Sequence, residues 1–322
     1  MRYAIVGLLV IMMVSCSSSK STTAKDPKKD EIVIENALLW QVSGKGLTTP
    51  SYVYGTIHMI CKEDFQFSNT LKEKFRDAKE VYLEIDMDDP GMMMKMASMS
   101  IMKGHSLKDL MNDADYAFLS SYVKDSLGMP MMLFNRLKPI TLMSLLYTKV
   151  LPCSNSESYE QTMMTMAKQQ KKDIKGLERV EDQMGVFDKI PDSVEAQMIL
   201  EMIRKMPEQR TQFAEMVKAY KNEDLGSLSE EMSESPEWRG YEDILLVNRN
   251  RNWIPVMESA MKTGSSLFAV GAGHLPGKEG VIHLLRQAGY TVTPMKQTYG
   301  EIASNQFSPM PNGKWPLTNA QQ

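Results

Sequence analysis

Two short turns of the sequence carry the side chains best suited to chemistry, because each turn ends in a histidine. The segment GTIH ends at His58 and the segment GAGH ends at His274, and each follows an apolar run typical of a strand. Glycine lets the backbone turn sharply, and ligand-binding groups of open α/β sheets collect at the carboxyl ends of strands. Of the four histidines, His105 and His283 lack this setting and are expected at the surface or in packing contacts.

Glu84 is the third candidate, near the end of the β-like segment VYLEID. Its apolar neighbours Leu83 and Ile85 indicate a carboxylate that faces a crevice rather than open water. Two imidazoles and one carboxylate can bind a catalytic divalent metal and leave a coordination position for water. We therefore predict that His58, Glu84 and His274 bind Mn, Co or Zn. The alternative is that the two turns are unrelated strand ends and share no site.

The elements that must position these side chains follow an α/β pattern near both ends of the chain. Short apolar runs predict the strands, and apolar residues spaced i, i+4, i+7 predict the first helix. The expected elements are strands at 38–42 and 52–55, a helix at 68–78, strands at 80–86 and 266–274, a helix at 278–288 and a strand at 290–295. This order predicts an α/β fold whose mixed or largely parallel central sheet is built from N- and C-terminal segments.

The middle of the chain, about residues 90–245, favours helices and predicts a large helical insert covering the strand ends. Its expected helices lie at 92–102, 116–127, 131–149, 159–170, 180–189, 194–206 and 210–221, with one strand at 173–178. We expect the insert to exclude water and to grip substrate as a lid. Met92, Met93, Met94 and Met96, among 29 methionines, suit a pliable apolar surface, and core packing or a dimer contact are the open alternatives.

The start of the chain resembles a bacterial lipoprotein signal. Arg2 precedes an apolar run that is too short to span a bilayer, and the small Ser15 stands just before Cys16. We predict cleavage before Cys16 and acylation of its thiol, which would tether the protein to a membrane of the bacterial cell envelope, in the periplasm or at the outer membrane. A plain secreted protein that is cut nearby is the alternative.

Length and composition set the outer limits on domain organisation and partners. The 322 residues carry a formal net charge of −3 and are 43% hydrophobic, which excludes wholesale disorder. Because there is no long basic run, the sequence gives no electrostatic basis for binding nucleic acid. The expected parts are a signal peptide at 1–15, a flexible polar tether at 16–36, a domain at 37–302 and a tail at 303–322.

Two cysteines, Cys61 and Cys153, remain if Cys16 is acylated. Outside the reducing cytosol such a pair favours a disulfide bond. Two separate buried thiols are the alternative, because pairing requires their Cα atoms to lie within about 7 Å. A zinc site is disfavoured because neither cysteine has a second ligand at short spacing.

Five segments, spread from about residue 38 to residue 295, resemble the TraB/GumN/Tiki family. They are LLWQVSGKGLTTPSYVYGTIH, VYLEID, IKGLERVEDQM, LLVNRNRNWIP and LFAVGAGHLPGKEGVIHLLRQAGYTVTPM. The resemblance implies an α/β core in which His58, His274 and Glu84 are metal-site residues. Tiki members of the family are metal-dependent proteases, and pheromone-shutdown members act on or sequester signalling peptides. The resemblance therefore implies a peptide or protein substrate.

The same resemblance adds Arg249 and Asn250 in VNRNRNW, and Glu178 in GLE, to the candidate site. Arg249 and Asn250 could orient a substrate carbonyl or hydrogen-bond a metal-bound carboxylate, since arginine presents a fixed fork of donors. Alternatively, Arg249 could form a structural salt bridge with Glu242 or Asp243.

A carboxylate is also needed to move the proton of a metal-bound water. Glu84 would do so if it is not a ligand, and otherwise Glu178 would. Glu178 could equally be a partner of a ligand, or could simply pair with Lys175 or Arg179.

These observations favour a membrane-tethered, metal-dependent hydrolase, and within that class a peptidase. The runner-up is a non-catalytic envelope protein that binds a peptide, haem or a metal. The third hypothesis is a structural envelope protein whose turns bind nothing. Metal analysis separates the third hypothesis from the other two, and chelator-sensitive turnover of a peptide library separates the first from the second.

Overall fold

The structure is a computed structural model that describes residues 35–234 and 240–300, with side chains to residue 231 in the first range. The predicted signal peptide, the acylated Cys16, most of the tether and the tail at 303–322 lie outside these described residues. Within the described ranges, no helix combines the length and the apolar character that crossing a bilayer requires.

Strands and helices alternate at both ends of the described chain, and helices dominate its middle. The strands are β1 (Leu39–Ser43), β2 (Ser51–Thr56), β3 (Ile60–Cys61), β4 (Glu80–Ile85), β5 (Ser156–Glu157), β6 (Ile174–Glu178), β7 (Ser266–Gly271) and β8 (Thr291–Pro294). The helices are α1 (Asn69–Asp77), α2 (Met92–Met99), α3 (Asp113–Leu127), α4 (Pro139–Tyr147), α5 (Tyr159–Gln170), α6 (Val180–Phe187), α7 (Asp192–Arg204), α8 (Met206–Lys221), α9 (Leu225–Glu234), α10 (Asn248–Thr263) and α11 (Val281–Gln287). The predicted α/β fold is confirmed.

The central sheet has six strands in the order β6-β4-β7-β2-β1-β8. Strands β6, β4, β7 and β2 run parallel, whereas β1 pairs antiparallel with both β2 and β8. Every residue of β2 is buried, and β7 is buried from Ser266 to Val270, as expected for parallel strands covered on both faces. The sheet thus comes from the two ends of the chain, and β6 of the insert is added as one edge strand.

The four parallel strands end at one edge of the sheet, and this edge carries the candidate site residues. Pairing of Thr56 with Gly271 aligns the end of β2 with the end of β7, just before the two Gly-x-x-His histidines. Pairing of Ile85 with Glu178 aligns the end of β4 with the end of β6. The parallel topology therefore gathers side chains that are far apart in sequence.

The insert builds a hydrophobic core of its own next to the core of the sheet. The buried residues of this second core all lie between Met102 and Ile203. Its fully buried members include Leu107, Leu119, Val123, Leu142, Leu146, Ile199 and Leu200. The insert is therefore a layer of packed helices with its own hydrophobic core.

Several elements differ from the sequence prediction, which included none of β3, β5, α9 and α10. The continuous helix predicted at 131–149 is wrong, because Met131–Leu133 is only a 3-10 turn and α4 begins at Pro139. Proline fits the first turn of a helix but interrupts its interior. Helix α10 was not among the predicted helices. Pro255 lies inside it, and Trp253, Met257 and Met261 recur along one face and are buried.

Candidate functional site

A pocket of about 290 Å³ opens at the carboxyl ends of the parallel strands. Its lining residues are His58, Glu84, Gln183, Val186, Phe187, Leu245, Arg249 and His274. The three predicted metal ligands and Arg249 therefore share one pocket. The two other predicted site residues do not line the pocket: Glu178 contacts Arg249, and Asn250 contacts His274.

Gly271 lies beside all three predicted ligands. A Cβ atom on Gly271 would lie 3.3 Å from Oε1 of Glu84, 3.6 Å from Cδ2 of His274 and 3.8 Å from Nε2 of His58. Glycine leaves this space open at the end of β7. The Gly-x-x-His spacing thus provides both the turn and the space between the ligands.

The carboxylate of Glu84 is buried and accepts three hydrogen bonds. Oε1 accepts from the backbone N–H of Gly271 at 2.8 Å. Oε2 accepts from Nε2 of Gln183 at 3.0 Å and from Nη2 of Arg249 at 2.6 Å. Strand β4 fixes the backbone of Glu84, and these three donors fix its side chain.

The charge state of Glu84 follows from this environment. Burial by itself raises the pKa of Glu84, but the charges of His274, Arg249 and His58 and the Gly271 N–H lower it to about 2. At neutral pH His274 is uncharged, because burial lowers the pKa of its own imidazole to about 3. Arg249 and His58 therefore provide the positive charge near Glu84, which is an anion at any physiological pH.

His274 is held as one defined tautomer by Asn250. Nδ2 of Asn250 donates to the carbonyl oxygens of His274 at 3.3 Å and Glu279 at 2.7 Å, so Oδ1 of Asn250 is the acceptor. Oδ1 lies 2.6 Å from Nδ1 of His274, which must therefore carry the proton. Nε2 of His274 keeps its lone pair, and Nη1 of Arg249 donates to it at 3.2 Å.

His58 differs from His274 because its side chain is 70% exposed. Its Nδ1 lies 3.2 Å from Oε1 of Glu160, and its Nε2 faces the pocket. The hydrogen bond to Glu160, aided by the charge of Glu84, raises the pKa of His58 to about 9. The imidazole is thus cationic at neutral pH and must lose a proton before it can bind a metal.

Arg249 connects the two candidate carboxylates. Its Nη2 donates to Oε2 of Glu84 and to Oε1 of Glu178, each at 2.6 Å, and its Nε donates to Oε1 of Glu178 at 2.9 Å. The three side chains are at most 12% exposed. Burial raises the pKa of Glu178 despite the guanidinium beside it.

Glu178 and Arg249 do not pair with the alternative partners that their neighbours in sequence suggest. Lys175 pairs with Glu80, and Arg179 pairs with Asp182, so neither neutralises Glu178. Arg249 forms its ion pairs with Glu84 and Glu178 rather than with Glu242 or Asp243. The motif arginine therefore belongs to the pocket.

The donor chemistry of the site fits a divalent cation. Both imidazoles present Nε2 to one pocket while Nδ1 meets a side-chain oxygen, which is how proteins orient histidine ligands. Nε2 of His274 lies 3.8 Å from Oε1 of Glu84. Before these three side chains can coordinate one cation, the guanidinium of Arg249 must move away from Nε2 of His274. His58 must also move closer to Glu84 and His274.

Among the described residues, Cys61, Glu63 and Cys153 bring three potential ligand atoms within 4.8 Å of one another, whereas His58, Glu84 and His274 do not. Cys61 and Cys153 form a disulfide bond with their Cα atoms 5.8 Å apart, so their sulfurs are not thiolate ligands. The predicted disulfide is confirmed.

The insert lines the pocket, although not with the methionines of the segment 92–96. Its lining side chains are Val186 and Phe187 near the end of α6 and Leu245 in a π-helical turn at Asp243–Val247. Met93 and Met94 are exposed, and Met92 is buried in α2. The apolar wall of the pocket therefore comes from other insert residues.

Two polar residues at the site, Gln183 and Glu160, were not predicted. Gln183 lies in the segment IKGLERVEDQM, where its place on the helix that follows β6 was the available signal. Glu160 lies in the first turn of α5, where an acidic residue is ordinary, so nothing in the local sequence marks it.

Comparison with known proteins places this sequence in a family. Metalloprotease TIKI2 of Xenopus tropicalis is 25% identical over 334 aligned residues, which cover 85% of this chain and 62% of the relative. The chain thus spans less than two thirds of that protein. No solved structure gives a significant match. The family model of the TraB/PrgY/gumN family matches residues 38–294, which include all six site residues, and the chain therefore belongs to the TraB/PrgY/gumN family.

Proposed function

We propose that this protein is a metal-dependent peptidase tethered to the bacterial cell envelope by an acylated Cys16. The observation that carries the proposal is the pair of imidazoles, His58 and His274, which present Nε2 to the pocket that also contains Glu84. The similarity to a protein named as a metalloprotease supports the same reaction class.

His58, His274 and Glu84 would hold the cation. A bound Mn, Co or Zn ion would acidify a water molecule and polarise an amide carbonyl. His274 is prepared for ligation, because Asn250 keeps the proton on Nδ1 and the lone pair on Nε2. Glu84 is already anionic and needs no proton loss to bind a cation.

Arg249 and Glu178 would assist the reaction without binding the metal. The guanidinium reaches the pocket while Glu178 holds it from behind, so Arg249 is placed to orient a substrate carbonyl. If Glu84 binds the metal, Glu178 is the carboxylate left to take up a proton. The raised pKa of Glu178 suits that role better than the low pKa of Glu84 does.

The pocket walls indicate which part of a peptide would enter. Val186, Phe187 and Leu245 form an apolar side that faces the polar groups of the strand ends. A peptide with an apolar side chain next to the scissile bond would place that side chain on this wall and its carbonyl toward Arg249. Burial of the apolar side chain would contribute about 1.5–3 kcal/mol to binding.

The first test measures metal binding and turnover on the same preparations. Zn²⁺, Co²⁺ and Mn²⁺ are titrated calorimetrically into untagged protein, and a library of peptides is then incubated with each loaded sample. We expect one ion per chain and chelator-sensitive cleavage. His58→Ala and His274→Ala should each abolish metal binding, whereas His283→Ala, on α11, should not.

The alternative is a non-catalytic envelope protein that binds a peptide, haem or a metal. The contact that argues against catalysis is the hydrogen bond from Arg249 to Nε2 of His274, because it occupies the lone pair that a catalytic metal would need. Stoichiometric metal binding without cleavage of any peptide would support this alternative. Full metal occupancy in either histidine variant would contradict the shared site.

A further inference from the structure

Glu160, at the start of α5, is largely but not fully buried, and it accepts hydrogen bonds from three residues. Its Oε1 accepts from Oγ1 of Thr56 at 2.6 Å and contacts Nδ1 of His58 at 3.2 Å. Its Oε2 accepts from Oγ of Ser158 at 2.9 Å. The carboxylate is 12% exposed, although the imidazole beside it is 70% exposed.

A purely structural reading of Glu160 would make it an acidic residue in the first turn of a helix. A negative charge in the first turn interacts favourably with the helix dipole. Ser158 already acts as the N-cap of α5, because its hydroxyl oxygen accepts from the N–H of Gln161. A favourable interaction between Glu160 and the helix dipole requires no contact with His58. The bonds to Thr56 and His58 instead point the carboxylate toward the end of β2, where the candidate ligand turn begins.

A small second sheet and the disulfide hold these two segments together. Strand β3 pairs with β5, with Ile60 opposite Glu157 and Cys61 opposite Ser156. The disulfide joins Cys61 to Cys153 immediately beside this pairing. His58 lies just before β3, and Glu160 lies just after β5. The covalent bond and the strand pairing therefore fix the distance between the two segments that carry the imidazole and the carboxylate.

We propose that Glu160 is the positioning residue for His58: its carboxylate accepts the Nδ1 proton and thereby keeps Nε2 of the imidazole directed into the pocket. His58 then mirrors His274, whose Nδ1 is bound by Asn250. The role as a metal ligand rests on the proposed function, whereas the orientation of the imidazole does not.

This arrangement compensates for the exposure of His58. A solvent-exposed imidazole loses rotamer freedom when it binds a metal, and neutral imidazole in water has a mixture of tautomers. The carboxylate on Nδ1 fixes the orientation of the imidazole. When Nε2 loses its proton, the same carboxylate retains the Nδ1–H tautomer and strengthens the donor character of Nε2. Loss of such a partner typically lowers metal affinity by about 10–100-fold.

The first measurement uses the metal-free protein, so it does not depend on the proposed function. Long-range ¹H–¹⁵N spectra of histidine-labelled protein are recorded over a pH range that extends well above the pKa of His58, about 9, until its signals stop changing and the imidazole is neutral. We expect the Nδ1–H form of His58 in the wild-type protein and a shift toward the Nε2–H form in Glu160→Ala. Glu160→Gln keeps an acceptor oxygen and should retain most of the Nδ1–H form. An unchanged tautomer in Glu160→Ala would overturn the proposal.

The second measurement is calorimetric titration with Zn²⁺. Glu160→Ala should bind Zn²⁺ about 10–100-fold more weakly than the wild-type protein, with partial rescue in Glu160→Gln. Glu157→Ala is the matched control, because it removes the same charge from the same segment and its side chain pairs with Lys62 at 4.0 Å rather than with His58. Circular dichroism shows whether each variant is folded.

The two measurements separate the two proposals. If the tautomer shifts in Glu160→Ala while even the wild-type protein binds no Zn²⁺, the positioning of His58 stands and the proposed metal site fails. If Zn²⁺ binds equally well to the wild-type protein and to folded Glu160→Ala, the metal site stands and the positioning role is wrong.

Discussion

Oδ1 of Asn250 lies 2.6 Å from Nδ1 of His274, and this bond decides which nitrogen of the buried imidazole faces the pocket. The amide group of Asn250 is itself fixed, because its Nδ2 donates to the carbonyl oxygens of His274 and Glu279. The side chain of Asn250 on α10 therefore holds the backbone of the turn after β7 and also determines the tautomer of His274.

Replacement of Asn250 should destabilise the protein as well as the site. Asn250→Ala leaves two backbone carbonyls and Nδ1 of His274 without this partner in a buried region, and each such loss costs about 1–3 kcal/mol. We expect the free energy of unfolding in urea to fall by about 3 kcal/mol. Asn248→Ala, an exposed position on the same helix, is the control and should change it little. Equal stability of the two variants would contradict the assignment of Asn250.

Arg249 should be the most costly arginine to replace in α10. Arg249→Gln leaves Glu84 and Glu178 buried without their shared cation, and breaking a buried ion pair from one side typically costs about 3–5 kcal/mol. Arg251→Gln removes the same charge two residues later, where the side chain is exposed and pairs with Glu279, and should have little effect. Urea denaturation of both variants checks the difference, which a similar loss of stability in the two would contradict.

A methyl group at Gly271 should fill the space between the three proposed ligands. In Gly271→Ala the new Cβ would lie 3.3 Å from Oε1 of Glu84, so the carboxylate must shift by a few tenths of an ångström. Overpacking of this kind typically costs about 1–3 kcal/mol, and we expect Zn²⁺ affinity to fall about tenfold. Gly185→Ala in α6 meets nothing within 4 Å and should stabilise the protein by about 0.5–1 kcal/mol without changing Zn²⁺ binding. Unchanged Zn²⁺ affinity in Gly271→Ala would show that Gly271 does not limit the site.

Glu195 should make the stability of the insert depend on pH. Its Oε2 accepts from the N–H of Ile140 at the start of α4, and its Oε1 has no hydrogen-bond partner among the described residues. Burial raises the pKa of Glu195 from 4.5 to about 7. The folded state therefore binds more protons than the unfolded state between these values, and the free energy of unfolding falls as the pH rises through them.

The size of this effect is about 2 kcal/mol, after a discount for solvent screening. Urea denaturation at several pH values between 4.5 and 8 measures it, the lower limit being the ordinary pKa of the carboxyl. Glu195→Gln should remove this part of the pH dependence, because its amide does not titrate. The same slope in the variant and the wild-type protein would assign the effect to another group.

The disulfide should contribute to stability and to order in the small sheet. It closes a loop of 92 residues, and removal of such a bond typically costs about 2–4 kcal/mol. We expect this loss in the variant Cys61→Ser/Cys153→Ser, together with faster amide exchange in β3 and β5. Reductant should destabilise the wild-type protein by a similar amount and leave the double variant unchanged. No effect of reductant on folded wild-type protein would show that the bond is absent in solution.

The amino-acid sequence alone identified the parts of the site that depend on local pattern. A Gly-x-x-His turn after an apolar strand marks His58 and His274, and VYLEID marks Glu84 at the end of β4. The same local logic predicted β2, β7 and most helices of the insert. It failed at 131–149, where α4 begins only at Pro139, and it did not predict β3, β5, α9 or α10.

Only the tertiary structure decided how those parts act on one another. Arg249 lies 71 positions from Glu178, Gln183 lies 99 positions from Glu84, and Glu160 lies 102 positions from His58. Contacts of this separation depend on which strands run parallel and where the insert packs, and no local periodicity records either. Which nitrogen of each histidine faces the pocket is likewise a property of its neighbours, because the tautomer is set by the group that accepts the other ring proton.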